Sequence, residues 1–389
     1  MGGVQGPRRG SGNSYQAAPL VGSVKPEELL CKYSNPSLDR SGMLELVLQF
    51  PDNLADALKE CEQLAHTIES KLPKRPQGVV VAGMGGSFIG GLFAQDALYD
   101  TYSVPLIPLR EAGLPAYVGK DYLVIAVSYS GNTEETIRVF LEALRRKIPL
   151  VAMASGGLLE EAALEAGVPF VKLPAGMPPR AAFPFMCAAL AVLLDSVQGS
   201  SKLAGELREA VEHLRKVSDS ALHESEALSR WMLEQYLAGK LLVIYSYRPY
   251  LSAGYRLKTQ VNENAKLHAF FSEIPESNHN EIMGWEGQTG LFALLLRTKR
   301  EPPYIHYRLE FLKELLSSKG VAVREVVARG ETRVQELLYF FYVFDLASVL
   351  LSLMRGVDPT PVETISKLKK YLDERIDLKG EIKQVVSNL

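Results

Sequence analysis

Across its 389 residues the sequence has no uninterrupted apolar run of the roughly 18 residues that a membrane-spanning helix needs. No apolar stretch follows the glycines and arginines of Met1 to Gly12, so neither a membrane partner nor export is expected. Cysteine is scarce. Cys31, Cys61 and Cys187 are odd in number, far apart and form no CxxC, which excludes a disulfide framework and a zinc ribbon and points to a reducing, cytoplasmic setting. An excess of charge is also missing. With 43 Lys and Arg against 45 Asp and Glu the formal charge is -2, which gives no general attraction to nucleic acid or to an anionic membrane. An acidic ligand must therefore be gripped locally. The six histidines, His66, His213, His223, His268, His279 and His306, form no HxH, HxxxH or HExxH pair, so no metal site and no metal cofactor are expected.

What remains is an ordinary globular composition, 47% apolar and 23% charged, in a chain long enough for two domains, each with its own core. From Gly78 short β-branched runs alternate with amphipathic stretches, the pattern of an α/β fold with parallel strands and crossover helices. Gly78 to Ala82, Tyr122 to Ser128, Pro149 to Met153 and Pro169 to Leu173 read as strands. Helices are expected near Phe88 to Tyr99, Thr133 to Arg146 and Leu158 to Ala166. Residues 200–237 read as a charged helical connector. The series then restarts with a strand over Lys240 to Tyr245 and a helix ending near Leu267. A strand over Gly290 to Arg297, a helix over Tyr307 to Ser318, a strand over Val321 to Val327 and a long helix over Arg333 to Met354 follow. The expected divisions are a flexible tail over 1–28, a first domain over 29–199, the connector over 200–237, a second domain over 238–356, and a C-terminal turn and helix over 357–389. The second half has no counterpart of the first half's glycine- and serine-rich loops.

Those loops carry the chemistry. Ser128-Tyr129-Ser130-Gly131-Asn132-Thr133 stands where a buried strand passes into a helix, so unpaired backbone N–H groups and the positive end of the helix dipole face an anion. Ser128, Ser130 and Thr133 add three hydroxyls, more than a single helix cap needs, and Gly131 permits a tight turn. A phosphate cradle is expected. Gly83-Met84-Gly85-Gly86-Ser87 also follows a strand, but Phe88 stands where a third glycine would complete GxGxxG, which argues against a dinucleotide. Gly85 and Gly86 allow close approach of any ligand, and Ser87 offers a hydroxyl. Taken alone, Glu263 is a solvated helical carboxylate, Arg180 a surface arginine after Pro178-Pro179, and His279 a surface histidine in a polar loop.

In combination these motifs are specific. GMGGS, SYSGNTEET, Pro178-Pro179-Arg180, Asn262-Glu263-Asn264, Ser277-Asn278-His279-Asn280-Glu281 and Asp358-Pro359-Thr360-Pro361 resemble, in order and spacing, the bifunctional phosphoglucose/phosphomannose isomerases. The resemblance implies two sugar-isomerase (SIS) domains of three-layer αβα type with mostly parallel sheets. It also implies cofactor-free interconversion of glucose 6-phosphate and mannose 6-phosphate with fructose 6-phosphate through an enediolate. It gives Glu263 as the base, Arg180 as stabiliser of the enediolate, and His279 and Lys367 as the groups that open the sugar ring, with Lys370 as the alternative lysine. His279 would arrive from the partner in a homodimer. Gly85, Gly86, Ser87, Ser128, Ser130 and Thr133 would hold the phosphate and sugar. Thr360 would leave room for the mannose epimer. Two other readings stay beside this one. A non-catalytic sugar-phosphate regulator would use the same cradle, but residues 1–25 are too short and too polar for a DNA-binding head. A glucosamine 6-phosphate synthase would need a glutaminase domain with an N-terminal cysteine, and residue 2 is glycine.

Overall fold

A computed structural model describes residues 24–287 and 290–388. Three helices, α1 (Pro26–Tyr33), α2 (Met43–Leu48) and α3 (Phe50–Ile68), precede the first sheet. The tail expected over 1–28 lies outside the described residues as far as 23. Its last residues are helical from Pro26, whose fixed φ suits a first helical turn.

The first unit runs β1 (Gly78–Ala82), α4 (Gly86–Ala97), β2 (Leu106–Leu109), β3 (Tyr122–Val127), α5 (Glu134–Arg145), β4 (Leu150–Ala154), α6 (Gly157–Glu165), β5 (Phe170–Lys172) and α7 (Phe183–Gln198). Its five strands are all parallel in the order β2-β1-β3-β4-β5. Every residue of β1 and β4 is buried, as continuous apolar runs require in a sheet covered on both faces. Sequence patterning does not find β2. It is a four-residue edge strand containing Pro108, which only an edge position tolerates.

Helix α8 (Lys202–Leu237) fills the expected helical connector. The second unit follows as β6 (Leu241–Tyr247), α9 (Leu251–Ala265), β7 (Ala269–Ile274), β8 (Leu291–Arg297), α10 (Pro303–Ser318), β9 (Val323–Val327) and α11 (Arg333–Met354). Its parallel strands take the order β7-β6-β8-β9, which repeats the β2-β1-β3-β4 order of the first sheet. Two short helices, α12 (Glu363–Asp373) and α13 (Leu378–Val386), close the chain.

Contrary to expectation, the two units do not keep separate cores. One hydrophobic cluster runs from Leu29 through α7 and α8 to Leu353, taking in residues of both sheets. A smaller cluster, which includes Ile382, Val385 and Val386 of α13, covers the other face of the first sheet. The physical reason is α11. It is apolar on every side, so it must be enclosed, and it packs on α8, α9, α2 and α4, elements of both halves. Among the described residues it is the one helix long and apolar enough to cross a membrane, and 94% of its most apolar window is buried inside the protein.

Within this core Asp345 of α11 accepts hydrogen bonds from Arg256 and Gln260 of α9, and each member of the Arg256–Asp345 pair is only 2% exposed. The Arg256 guanidinium also lies over the rings of Phe183 and Phe341, at 4.8 and 4.9 Å. Its Nη2 reaches the Arg180 carbonyl at 3.1 Å, so the pair supports the loop before α7. Breaking such a pair strands a buried charge. Asp345→Ala is therefore expected to lower unfolding stability by about 3–5 kcal/mol in chemical denaturation, whereas the double variant Arg256→Met/Asp345→Leu recovers most of the loss.

Candidate active site

In an open parallel sheet the ligand crevice opens at the carboxyl ends of the strands, where the strand order reverses. In the first sheet that point lies between β1 and β3, which are hydrogen-bonded neighbours. The loop after β1 is Gly83 to Ser87, and the loop after β3 is Ser128 to Thr133. The two are tied together, because the Tyr129 N–H donates to Ser87 Oγ at 3.1 Å.

The second loop is held in shape by its own hydrogen bonds. Thr133 is the N-cap residue of α5, yet its hydroxyl makes no cap bond and instead accepts from Ser128 Oγ at 2.9 Å. Gly131 has φ 69°, and a Cβ there would stand 1.6 Å from the Gly156 carbonyl oxygen. Asn132 Oδ1 accepts the Leu158 N–H, and Leu159 N–H donates to the Gly131 carbonyl, so the loop leans on the start of α6. On the other side a Cβ on Gly86 would meet the Pro179 carbonyl at 3.0 Å, which fixes how closely the Pro178-Pro179-Arg180 loop approaches. Tyr129 braces that loop further, donating to the Pro174 carbonyl and accepting the Met177 N–H.

Arg180 is no surface arginine; it is 4% exposed. Its Nε donates to Asn264 Oδ1, and its Nη2 to the carbonyls of Pro359 (2.7 Å) and Thr360 (3.0 Å). Its Nη1 lies 3.4 Å from Glu263 Oε2. Burial lowers the Arg180 pKa against the opposing pull of Glu263, Asp345 and Asp358. Glu263 stands near the end of α9 with 27% of its side chain exposed, so the carboxylate is paired on one side and reachable on the other.

A cleft of about 310 Å³ lies between these loops and α12. Gly85, Gly86, Ser87, Ser130, Thr133, Arg180 and Glu263 are all brought to its wall. The other candidates are not. Ser128 is fully buried behind Thr133. Thr360 lies behind Arg180, its N–H bonded to Asp358 Oδ1 and its Oγ1 buried without a hydrogen bond among the described residues. His279 is exposed in a 3-10 turn after β7, away from this chain's cleft. Lys367, Lys369 and Lys370 are all exposed on α12, and of the three Lys369 is the one at the cleft wall. Helical spacing explains the placement: Lys369 shares a face with Ile365 and Leu372, which also line the cleft, and Lys367 and Lys370 turn away from it. That amphipathic pattern is readable in the sequence. Among the described residues no group of three or more His, Cys, Asp and Glu is placed to hold a metal ion.

This geometry, a phosphate-type loop facing a carboxylate paired with a buried arginine, can be set beside known proteins. The model of the bacterial phospho-glucose isomerase C-terminal SIS domain matches residues 231–372. A bifunctional phosphoglucose/phosphomannose isomerase of Aquifex aeolicus is 34% identical over 300 residues, covering 76% of this chain and 90% of that protein. The chain belongs to the bifunctional phosphoglucose/phosphomannose isomerase family. Another family member, from Caldicellulosiruptor bescii, is 30% identical over 347 residues, covering 85% of this chain and 99% of its own length. In fold, the chain is similar to tagatose-6-phosphate ketose/aldose isomerase from Escherichia coli, with a TM-score of 0.64 at 16% identity over 84% of this chain and 97% of that one. The SIS-type α/β architecture is thus shared across distant phosphosugar proteins.

Because Gly131 is both in a left-handed conformation and against a carbonyl, Gly131→Ala displaces the phosphate loop. Binding of inorganic phosphate, followed by isothermal titration calorimetry, is expected to weaken about tenfold or more.

Proposed function

We propose that this family member reversibly converts glucose 6-phosphate and mannose 6-phosphate to fructose 6-phosphate by proton transfer through an enediolate. The observation that carries the proposal is the pairing of the partly exposed Glu263 carboxylate with buried Arg180, across one cleft from the phosphate-type loop. Ser87, Ser130 and Thr133, with the backbone of Gly85 and Gly86, hold the phosphate and the near end of the sugar. Ser128 orients Thr133. The Glu263 carboxylate takes the proton from C2 of the open-chain aldose and returns it to C1. The Arg180 guanidinium stabilises the charge that develops on the enediolate oxygens. Each step named uses the chain's own side chains. Of the lysines on α12, cleft geometry favours Lys369 for handling the ring oxygen, in place of Lys367. Thr360, behind Arg180 on the turn that it holds, bears on the second epimer through the position of that turn and not as a wall of the cleft.

The wild-type protein is expected to form fructose 6-phosphate from both aldose phosphates in a coupled assay. Glu263→Gln should lower kcat for both by about 100-fold or more; near-normal turnover would sink the assignment.

We further propose a homodimer in which His279 of each chain serves its partner's cleft. Support comes from its exposed position in a loop flanked by Met283, itself 60% exposed, and from its absence among the residues that line its own chain's cleft. Mixing inactive Glu263→Gln and His279→Ala proteins under exchange conditions should restore roughly a quarter of wild-type activity, because each mixed dimer then holds one intact site. No recovery on mixing would place His279 in its own subunit's site or outside the chemistry.

A further inference from the structure

Helix α9 ends on a lysine where a glycine is the usual choice. Lys266, its C-cap residue, adopts the left-handed conformation at φ 54°, which directs its side chain back across the helix end. Its Nζ donates to the carbonyls of Glu263 (2.6 Å) and Asn264 (3.4 Å) in the last turn, and to the carbonyl of Pro359 (2.9 Å), 93 residues away. Carbonyls at a helix C-terminus lack intrahelical partners and form the negative end of the dipole, so an ammonium suits them. The Pro359 carbonyl also accepts Arg180 Nη2, so its two lone pairs are both used by cations.

We propose that Lys266 is a positioning residue for the isomerisation: its ammonium pins the Glu263 turn of α9 to the Pro359-Thr360 turn and so fixes the base relative to Arg180. Lys266 does not line the cleft, so it acts through these two segments and not on the sugar. The inference rests on the isomerase reading given above.

The charged groups around it are Glu263 on α9, Arg180 from the loop before α7, and Asp358 from the turn after α11, itself 3.7 Å from Arg40. Arg355, at the end of α11, donates to the Ala265 carbonyl beside it. Burial and the Arg180 guanidinium push the Lys266 ammonium down to about 8, with Asp358 and Glu263 pulling the other way. The clamp is therefore complete below that pH and is lost as pH rises through it, well before an ordinary lysine would titrate near 10.4.

The test is kcat and KM for glucose 6-phosphate between pH of about 6.5 and about 9.5, with thermal unfolding as a control. Wild type is expected to lose kcat along a limb near pH 8. Lys266→Arg, whose guanidinium stays charged, keeps kcat within a few-fold and loses the limb. Lys266→Met folds, has kcat lowered about tenfold with KM little changed, and is flat across the alkaline range. A limb that persists in either variant, or wild-type kcat in Lys266→Met, overturns the inference. A wild type that isomerises normally but shows no limb overturns it alone. A wild type that converts neither hexose phosphate overturns the functional reading and the inference together.

Discussion

A guanidinium removed from water must replace the hydrogen bonds it gives up, and Arg180 does so by drawing distant segments together. Its donors reach Asn264 and Glu263 on α9 and the Pro359 and Thr360 carbonyls beyond α11. Its own carbonyl accepts from Arg256, which is locked to Asp345 in the core. Gly86 on the opposite loop is pressed against the same stretch. The cleft is thus assembled around one buried cation, and the Glu263 carboxylate is among the groups that satisfy it. The same contacts leave little freedom for the Glu263–Arg180 separation, which proton transfer coupled to charge stabilisation requires.

The repeated strand order poses a question that side chains answer. The second sheet has its own reversal point, between β6 and β8, where a ligand crevice is equally allowed by topology. There the chain has filled the space with its own polar groups. Tyr247 Oη and Thr298 Oγ1 bond each other at 2.7 Å, and Arg297, 1% exposed, pairs with Glu301, Glu310 and Glu325. Among the described residues that reversal point is thus occupied by paired side chains, and the glycine- and serine-rich loops stand at the first sheet alone.

Much of this was legible in the sequence where the signal is local. The strands β1 and β3, the loops that follow them and the span of α11 are written in contiguous residues, and periodicity finds them. The edge strands β2 and β7 leave no such signal, because a short run with Pro108, or one half open to solvent, lacks the continuous apolar pattern of a covered strand. Taken alone, Arg180 reads as a surface residue because its partners lie 84 and 180 positions away. No window of sequence joins them. Lys266 was passed over for the same reason, since its decisive acceptor is Pro359. Motif spacing points to Lys367, with Lys370 as the alternative, whereas the helical face formed by Ile365 and Leu372 brings Lys369 to the cleft.

The continuous hydrophobic cluster has a consequence for how such a protein can be divided. Helix α11 belongs by chain order to the second unit, yet it is enclosed by α8, α2 and α4 as well as by α9. A fragment cut at the connector would carry an apolar helix with much of its covering removed, and the complementary fragment would expose the groove that received it. The two halves repeat each other in topology but do not form exchangeable modules. A graft of the second half onto another protein must bring its own wall for α11, and a graft of the first must bring a helix to fill the groove.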